Sequence, residues 1–374
     1  MSDAAIVNGK VITSEGILPD GAVLIEGDTI ADVCAGRDAV KGSSEIIDAR
    51  GNYIAPGMID IHCHAGGGSW VYDNPAIVSK NQVFHGVTGY LPTIPYTLYD
   101  AQITDAIEKI LQSKKKCFGE IVLGINMEGP YINNKYGMAS WCARTPSEPE
   151  YEKYCKAAKN EIKIWTFAPE VANTDAFAAF LKRKGIVQAV GHSEAPGELI
   201  DSMADAALAT HCMDATGTPP SKCAGTREYG IDEAVLLNDR IYAEVIADSK
   251  GLHVRPQMLR LILKAKGIDK VVIISDATEF TQIQSSMDSD DLCFNEYGQL
   301  AGSKLTMDLA VRNMIRHTGI GLTEAFRMAS LNPARLLKME NRLGSIAAGK
   351  KANIIIIDDT ISVKKVILNG KLVA

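Results

Sequence analysis

Hydrophobic positions along this chain follow two rhythms. Near the start, the short apolar runs Ala5-Ile6-Val7 and Ala22-Val23-Leu24-Ile25 are broken by the turn formers Asn8-Gly9 and Glu26-Gly27-Asp28, a pattern that predicts a small antiparallel sheet. The C-terminal end repeats it, with Asn353 to Ile357 and Val363 to Leu368 as apolar runs and Asn369-Gly370 as a turn. The two ends are therefore expected to pair into one β unit. Between them, short apolar runs alternate with stretches of helical period such as Asp100 to Lys114 and Thr323 to Ser330, the signature of repeated strand-helix units around a parallel sheet. Eight such runs begin near Met58, Thr88, Ile121, Ile162, Ile186, Ala207, Ile241 and Val271. Eight strands predict closure. The expected fold is α/β, a TIM-like (β/α)8 barrel over 55–342 plus a small β-sandwich domain built from 1–54 and 343–374.

Composition narrows the function. Of 374 residues, 46% are hydrophobic and 22% charged, the usage of a globular protein with a large core. The net charge of −6 argues against a surface for nucleic acid or anionic membrane, both of which need concentrated positive charge, and so favours small-molecule chemistry. The opening Met1-Ser2-Asp3-Ala4-Ala5 lacks a basic segment followed by an apolar one, and no apolar run is long enough to span a membrane, so a cytoplasmic location is expected. Eight scattered cysteines form no Cys-x-x-Cys pair and read as reduced thiols, with Cys63 and Cys212 in packing rather than ligation.

In such a barrel the active site lies at the carboxyl ends of the strands, so a polar residue closing an apolar run is the informative event. The first run ends in Ile59-Asp60-Ile61-His62-Cys63-His64, and strand alternation places both histidines on one face, where one cation could take both. The alternative is a solvent-facing pair beside the Gly66-Gly67-Gly68 loop. The third run ends at Glu128, the fifth at His192, the sixth at His211 and the eighth at Asp276. Four of the seven histidines thus fall at the ends of three predicted strands, which chance rarely arranges. Imidazole and carboxylate without thiolate suit one or two divalent ions, zinc first, with iron(II), cobalt(II) and manganese(II) as alternatives. His85 and His317 are expected on the surface, and Asp288 to Asp291 in a solvated loop. There is no Gly-x-Ser-x-Gly elbow, Walker loop or dinucleotide fingerprint to support a rival chemistry.

In order along the chain, PGMIDIHCHAGGG, GINMEGPY, TFAPE, VGHSEA, ATHCMDA, IISDAT and LNPARLL with GSIAAGKKANIIIID resemble the N-acetylglucosamine-6-phosphate deacetylase family of the amidohydrolase superfamily. That resemblance implies metal ligands at His62, His64, Glu128, His192 and His211, with Glu128 able to bridge two ions. It also implies a catalytic aspartate at Asp276, which would deprotonate the attacking water and pass the proton to the departing amine, and a carbonyl-polarising histidine at His253. Substrate contacts carried over by the same resemblance fall on Arg227, on Leu300, Ala301 and Gly302, and on positions where this chain departs from the family. Ala139 stands where the family has a histidine, and Asp214-Ala215 where it has Asn-Ala, which sets a carboxylate near the expected sugar phosphate. The link before His253 is lengthened to Asp248-Ser249-Lys250-Gly251, offering Lys250 as a new contact.

The expected activity is deacetylation of an N-acetylated amino sugar, with N-acetylglucosamine-6-phosphate as the family substrate, in a homodimer. The alternatives are an amidohydrolase acting on another small amide, a cyclic amide or an amino-heterocycle, and a metal-retaining binding protein without turnover.

Overall fold

The computed structural model describes residues 3–36, 43–137, 140–280, 291–295 and 298–374. The terminal runs form one eight-stranded sheet from β1 (Ala4–Ile12), β2 (Ile17–Glu26), β3 (Thr29–Ala35), β4 (Glu45–Asp48) and β5 (Tyr53–Pro56), joined by the C-terminal strands described below. β1 pairs in parallel with β4 through its first half and with β5 through its second, so the sheet opens into two directions there. It curls around a core of its own that includes Ile6, Val23, Ile25, Ile54, Ile354 and Ile356. Chain ends far apart in sequence meet because each alone would leave an apolar face in water.

Gly57 separates this sheet from β6 (Met58–Cys63), which opens the barrel. Two short strands, β7 (Ala65–Gly66) and β8 (Ser69–Trp70), fold over its end. β9 (Val87–Ile94), β10 (Ile125–Glu128), β11 (Ile162–Phe167), β12 (Val187–Val190), β13 (Ala206–Ala209), β14 (Tyr242–Ile246) and β15 (Val271–Ile274) follow, all parallel to their neighbours, in unbroken order from β6 to β15. Bonds from Asp276 N–H to the His62 carbonyl and from His64 N–H to the Ala277 carbonyl link the last strand's end to the first, at 2.9 and 3.0 Å. The hairpin of β16 (Leu292–Phe294) and β17 (Leu300–Ser303) lies over that closure. β18 (Ile354–Ile357), β19 (Val363–Leu368) and β20 (Lys371–Leu372) return to the terminal sheet, β18 against β5.

The third strand departs from expectation. The run from Ile121 is buried but begins with a 3-10 turn over Gly119–Ile121, and extended pairing starts only after Gly124, at Ile125. Between barrel and helices, Phe177 on the helix Thr174–Lys184 sits in a ring cluster with Tyr131, Tyr151, Trp165 and Phe167, at centroid distances from 4.9 to 5.5 Å. No helix among the described residues is long and apolar enough to cross a membrane.

Candidate active site

Every residue of β6 is buried, and its alternation carries Asp60, His62 and then His64 along one side of the strand. Glu128 is the last residue of β10, and His192, His211 and Asp276 follow the ends of β12, β13 and β15. The last three hold left-handed backbone conformations, with φ of +48°, +30° and +46°, values that ordinary side chains avoid and that persist where the surrounding structure enforces them. The turn out of each strand therefore aims the side chain back over the barrel mouth.

The side chains converge. Glu128 Oε1 lies 2.9 Å from His192 Nε2, 3.2 Å from His211 Nε2 and 3.4 Å from His62 Nε2, while its Oε2 lies 3.3 Å from His64 Nε2. Asp276 Oδ1 is 3.4 Å from His62 Nε2 and 3.3 Å from His64 Nε2. Two groups, His62-His64-Glu128 and Glu128-His192-His211, each bring three donor atoms close enough to hold a divalent ion, and Glu128 belongs to both.

The opposite ring nitrogens fix how these imidazoles are used. His62 Nδ1 donates to Glu244 at 3.1 Å, His64 Nδ1 to the Thr93 carbonyl at 2.9 Å, His192 Nδ1 to the Tyr136 carbonyl at 2.9 Å and His211 Nδ1 to the Asp214 carbonyl at 3.1 Å. With each Nδ1 proton so engaged, the neutral rings all turn a bare Nε2 lone pair inward, the arrangement that orients histidine ligands in metal sites. The residues present thus fit a divalent cation. Burial opposes charge on His64 and His211, but Glu128 and the neighbouring aspartates outweigh it and push both up to about 9. Burial likewise works against ionised Glu128 and Asp276, yet the facing histidines hold both carboxyls below their ordinary values. The cluster is a concentrated demand for positive charge, met by protons or by metal.

A cavity of about 310 Å³ opens over this cluster. His64, Glu128, His192, His211 and Asp276 form its floor, and Asp214, Ala215, His253, Leu300, Ala301 and Gly302 contribute to its walls. Gly302 has φ +61°, and a Cβ there would lie 2.4 Å from Thr278 Cγ2 and 2.9 Å from the Asp276 carbonyl oxygen, so glycine lets this loop approach the site. Trp70, Tyr96 and Phe280 add an aromatic wall that pattern reasoning did not find, because only the fold gathers those three segments.

Other expectations separate from the cavity. Arg227 is not among its lining residues; its exposed guanidinium pairs with Glu233. Lys250 is exposed and also off the lining. Ala139 lies outside the described residues, as do Asp288 to Asp290. Asp291 is buried rather than solvated, accepting bonds from Ser249 and Asn313. His317, expected at the surface, is buried and donates from Nε2 to the Asp248 carbonyl at 2.8 Å, whereas His85 is half-buried beside Asp308. Among the described residues no lysine or arginine lines the cavity.

Three acidic residues behind the site were not singled out for it. Glu244, in the middle of β14, reaches His62 Nδ1 and, at 3.3 Å, the His211 N–H. Asp60 accepts from Ser275 Oγ at 2.6 Å and from Gln82, and burial pushes its carboxyl up to about 6. Asp248 holds His253. A charged residue inside an apolar strand was the available signal for Glu244 and Asp60.

A closed parallel barrel with convergent histidines and carboxylates at its carboxyl-terminal rim defines a class of metal-dependent hydrolases, and comparison places the chain within it. A profile of the Amidohydrolase family matches residues 53–373, and the chain belongs to that family. It is 29% identical to N-acetylglucosamine-6-phosphate deacetylase from Haemophilus influenzae, covering 98% of both chains, and 30% identical to N-acetylgalactosamine-6-phosphate deacetylase from Escherichia coli O157:H7, covering 97% of both. The crystal structure of N-acetylglucosamine-6-phosphate deacetylase from Pasteurella multocida superposes with a TM-score of 0.88, at 29% identity and 99% coverage of each chain.

Proposed function

We propose that this protein is a cytoplasmic amide hydrolase that converts N-acetylglucosamine-6-phosphate and water into glucosamine-6-phosphate and acetate. The observation that carries the reading is Asp276, whose Oδ1 stands within 3.4 Å of both His62 Nε2 and His64 Nε2 on the floor of a cavity that His253 also lines. Full-length similarity to two amino-sugar phosphate deacetylases supports the substrate class.

His62, His64, Glu128, His192 and His211 would hold one or two divalent ions, zinc first. When bound there, such an ion supplies Lewis-acid activation of water and of the amide carbonyl. Asp276 takes a proton from the attacking water and delivers it to the amine nitrogen as the C–N bond breaks. His253 donates a hydrogen bond to the carbonyl oxygen, where negative charge grows. The homodimer expected from the family is part of this proposal, and sedimentation velocity tests it.

Asp214 on the cavity wall, with no lysine or arginine beside it among the described lining residues, favours a second reading in which the amino sugar carries no phosphate. One experiment separates them: acetate release by the metal-analysed protein from N-acetylglucosamine-6-phosphate, its galactosamine isomer and the two unphosphorylated sugars. Preference for the first compound supports the proposal. Preference for the unphosphorylated sugars establishes the second reading, and release of ammonia, or silence on all four from a metal-loaded sample, overturns both.

A further inference from the structure

The lengthened link ahead of His253 folds around a single carboxylate. Asp248 is buried; its Oδ2 accepts from the His253 N–H at 3.0 Å and from the ring Nδ1 at 3.1 Å, while Oδ1 accepts from the N–H groups of Lys250 and Leu252, both at 3.0 Å. The loop is fastened from outside as well. His317 Nε2, on the helix Met307–Thr318, donates to the Asp248 carbonyl, and Asn313 on the same helix donates to the Ala247 carbonyl and to Asp291 Oδ2, both at 3.0 Å. Asp291 in turn accepts from the Ser249 N–H and hydroxyl at 2.7 Å each. On the far side of the His253 ring, Nε2 lies 2.9 Å from the carbonyl oxygen of Gly302, in a strand that lines the cavity.

A carboxylate and a carbonyl can only accept hydrogen bonds, whereas a neutral imidazole carries one N–H and one lone pair. A neutral His253 would set that lone pair against one of its two oxygens at contact distance. Only the doubly protonated ring satisfies both. The charged groups facing it agree: Asp248 from its own loop, Asp214 from the loop after β13 and Asp276 from the end of β15. Burial opposes the charge, and these three acids outweigh it and raise the ring above its ordinary value.

We propose that Asp248 is a positioning residue that holds His253 as an imidazolium, with its Nε2 proton resting on the Gly302 carbonyl until an oxygen of the entering substrate takes that proton donor over. Asp248 touches no substrate; it acts through the ring. The inference rests on the proposed amide hydrolysis only for the identity of that oxygen, the acyl carbonyl. Resting on Gly302 satisfies the donor inside a cavity where an unpaired buried N–H would be destabilising. It also links substrate entry to the strand that carries Leu300, Ala301 and Gly302.

The test uses the zinc-loaded protein with ring-15N-labelled histidine, the His253 signals being assigned by their loss in His253→Gln. Near pH 7 both ring nitrogens of His253 should appear protonated, and in Asp248→Asn the titration midpoint should fall by about one unit or more, the effect of removing an opposite charge in contact. In parallel, the alkaline limb of kcat/KM for acetate release should move to lower pH by the same interval in Asp248→Asn. The sign follows because the active form is the charged one and is lost as pH rises through a pKa that the variant lowers. A merely structural role would depress the rate equally at every pH and leave the limb in place. A singly protonated His253 in the unmodified protein overturns the proposal without any variant, as does an unshifted midpoint in a folded Asp248→Asn. Should the ring titrate as described while no substrate is turned over, the proposal stands and the deacetylase reading falls.

Discussion

Glu244→Gln tests whether the orientation of the histidines serves metal binding. Glu244 is fully buried in β14, and its Oε2 faces His62 Nδ1 at 3.1 Å and the His211 N–H at 3.3 Å, while Oε1 has no hydrogen-bond partner. Glutamine keeps the shape and leaves a carbonyl oxygen to accept from Nδ1, but the bond is no longer assisted by charge. Hydrogen bonds to charged groups are worth about 1.5–3 kcal/mol and neutral ones about 0.5–1.5, so the loss is about 1–1.5 kcal/mol. If that interaction makes His62 a better ligand, the loss appears in metal affinity as a factor of roughly ten, at the low end of the range known for partners of metal-binding histidines. Competition with a chelator of known affinity, read as metal per chain after equilibration, measures it, and circular dichroism checks that the fold persists. Equal metal retention by the two folded proteins would refute the reasoning, and Glu244 would then be no more than a buried structural acid.

Asp276→Asn should lower kcat by about 10²- to 10⁴-fold, the span of a positioned proton carrier, with metal content unchanged; persistent activity would remove Asp276 from that role. Asp214→Asn removes a negative charge from the cavity wall and should raise kcat/KM several-fold for the 6-phosphate relative to the unphosphorylated sugar, measured by acetate release. Phe177→Ala, which empties the centre of the ring cluster between helix and barrel, should destabilise the protein by about 3–5 kcal/mol in denaturant titration.

The site was legible in sequence to the extent that a strand end is. His62, His64, Glu128, His192, His211 and Asp276 each close an apolar run, and in a parallel barrel every run delivers its last residue to the same rim. Glu244 was hidden because it lies mid-strand and turns inward; only the barrel brings it beside His62, 182 positions away. His317 read as a surface histidine since one helix turn looks the same whichever neighbour covers it, and its partner is a backbone carbonyl that leaves no trace in a pattern. Arg227 illustrates the reverse: the family resemblance carried a substrate contact over to it, while within the chain its exposed guanidinium pairs with Glu233.

By itself, the sequence determined the architecture and the histidines and carboxylates gathered at the barrel rim, because strand period, strand count and the residue closing each strand are local properties. The closure of β15 on β6, the pairing of Asp248 with His253 and Gly302, and the absence of a lysine or arginine from the described cavity wall were decided by tertiary structure. They depend on which distant segments meet after the barrel closes, and local periodicity carries no record of that.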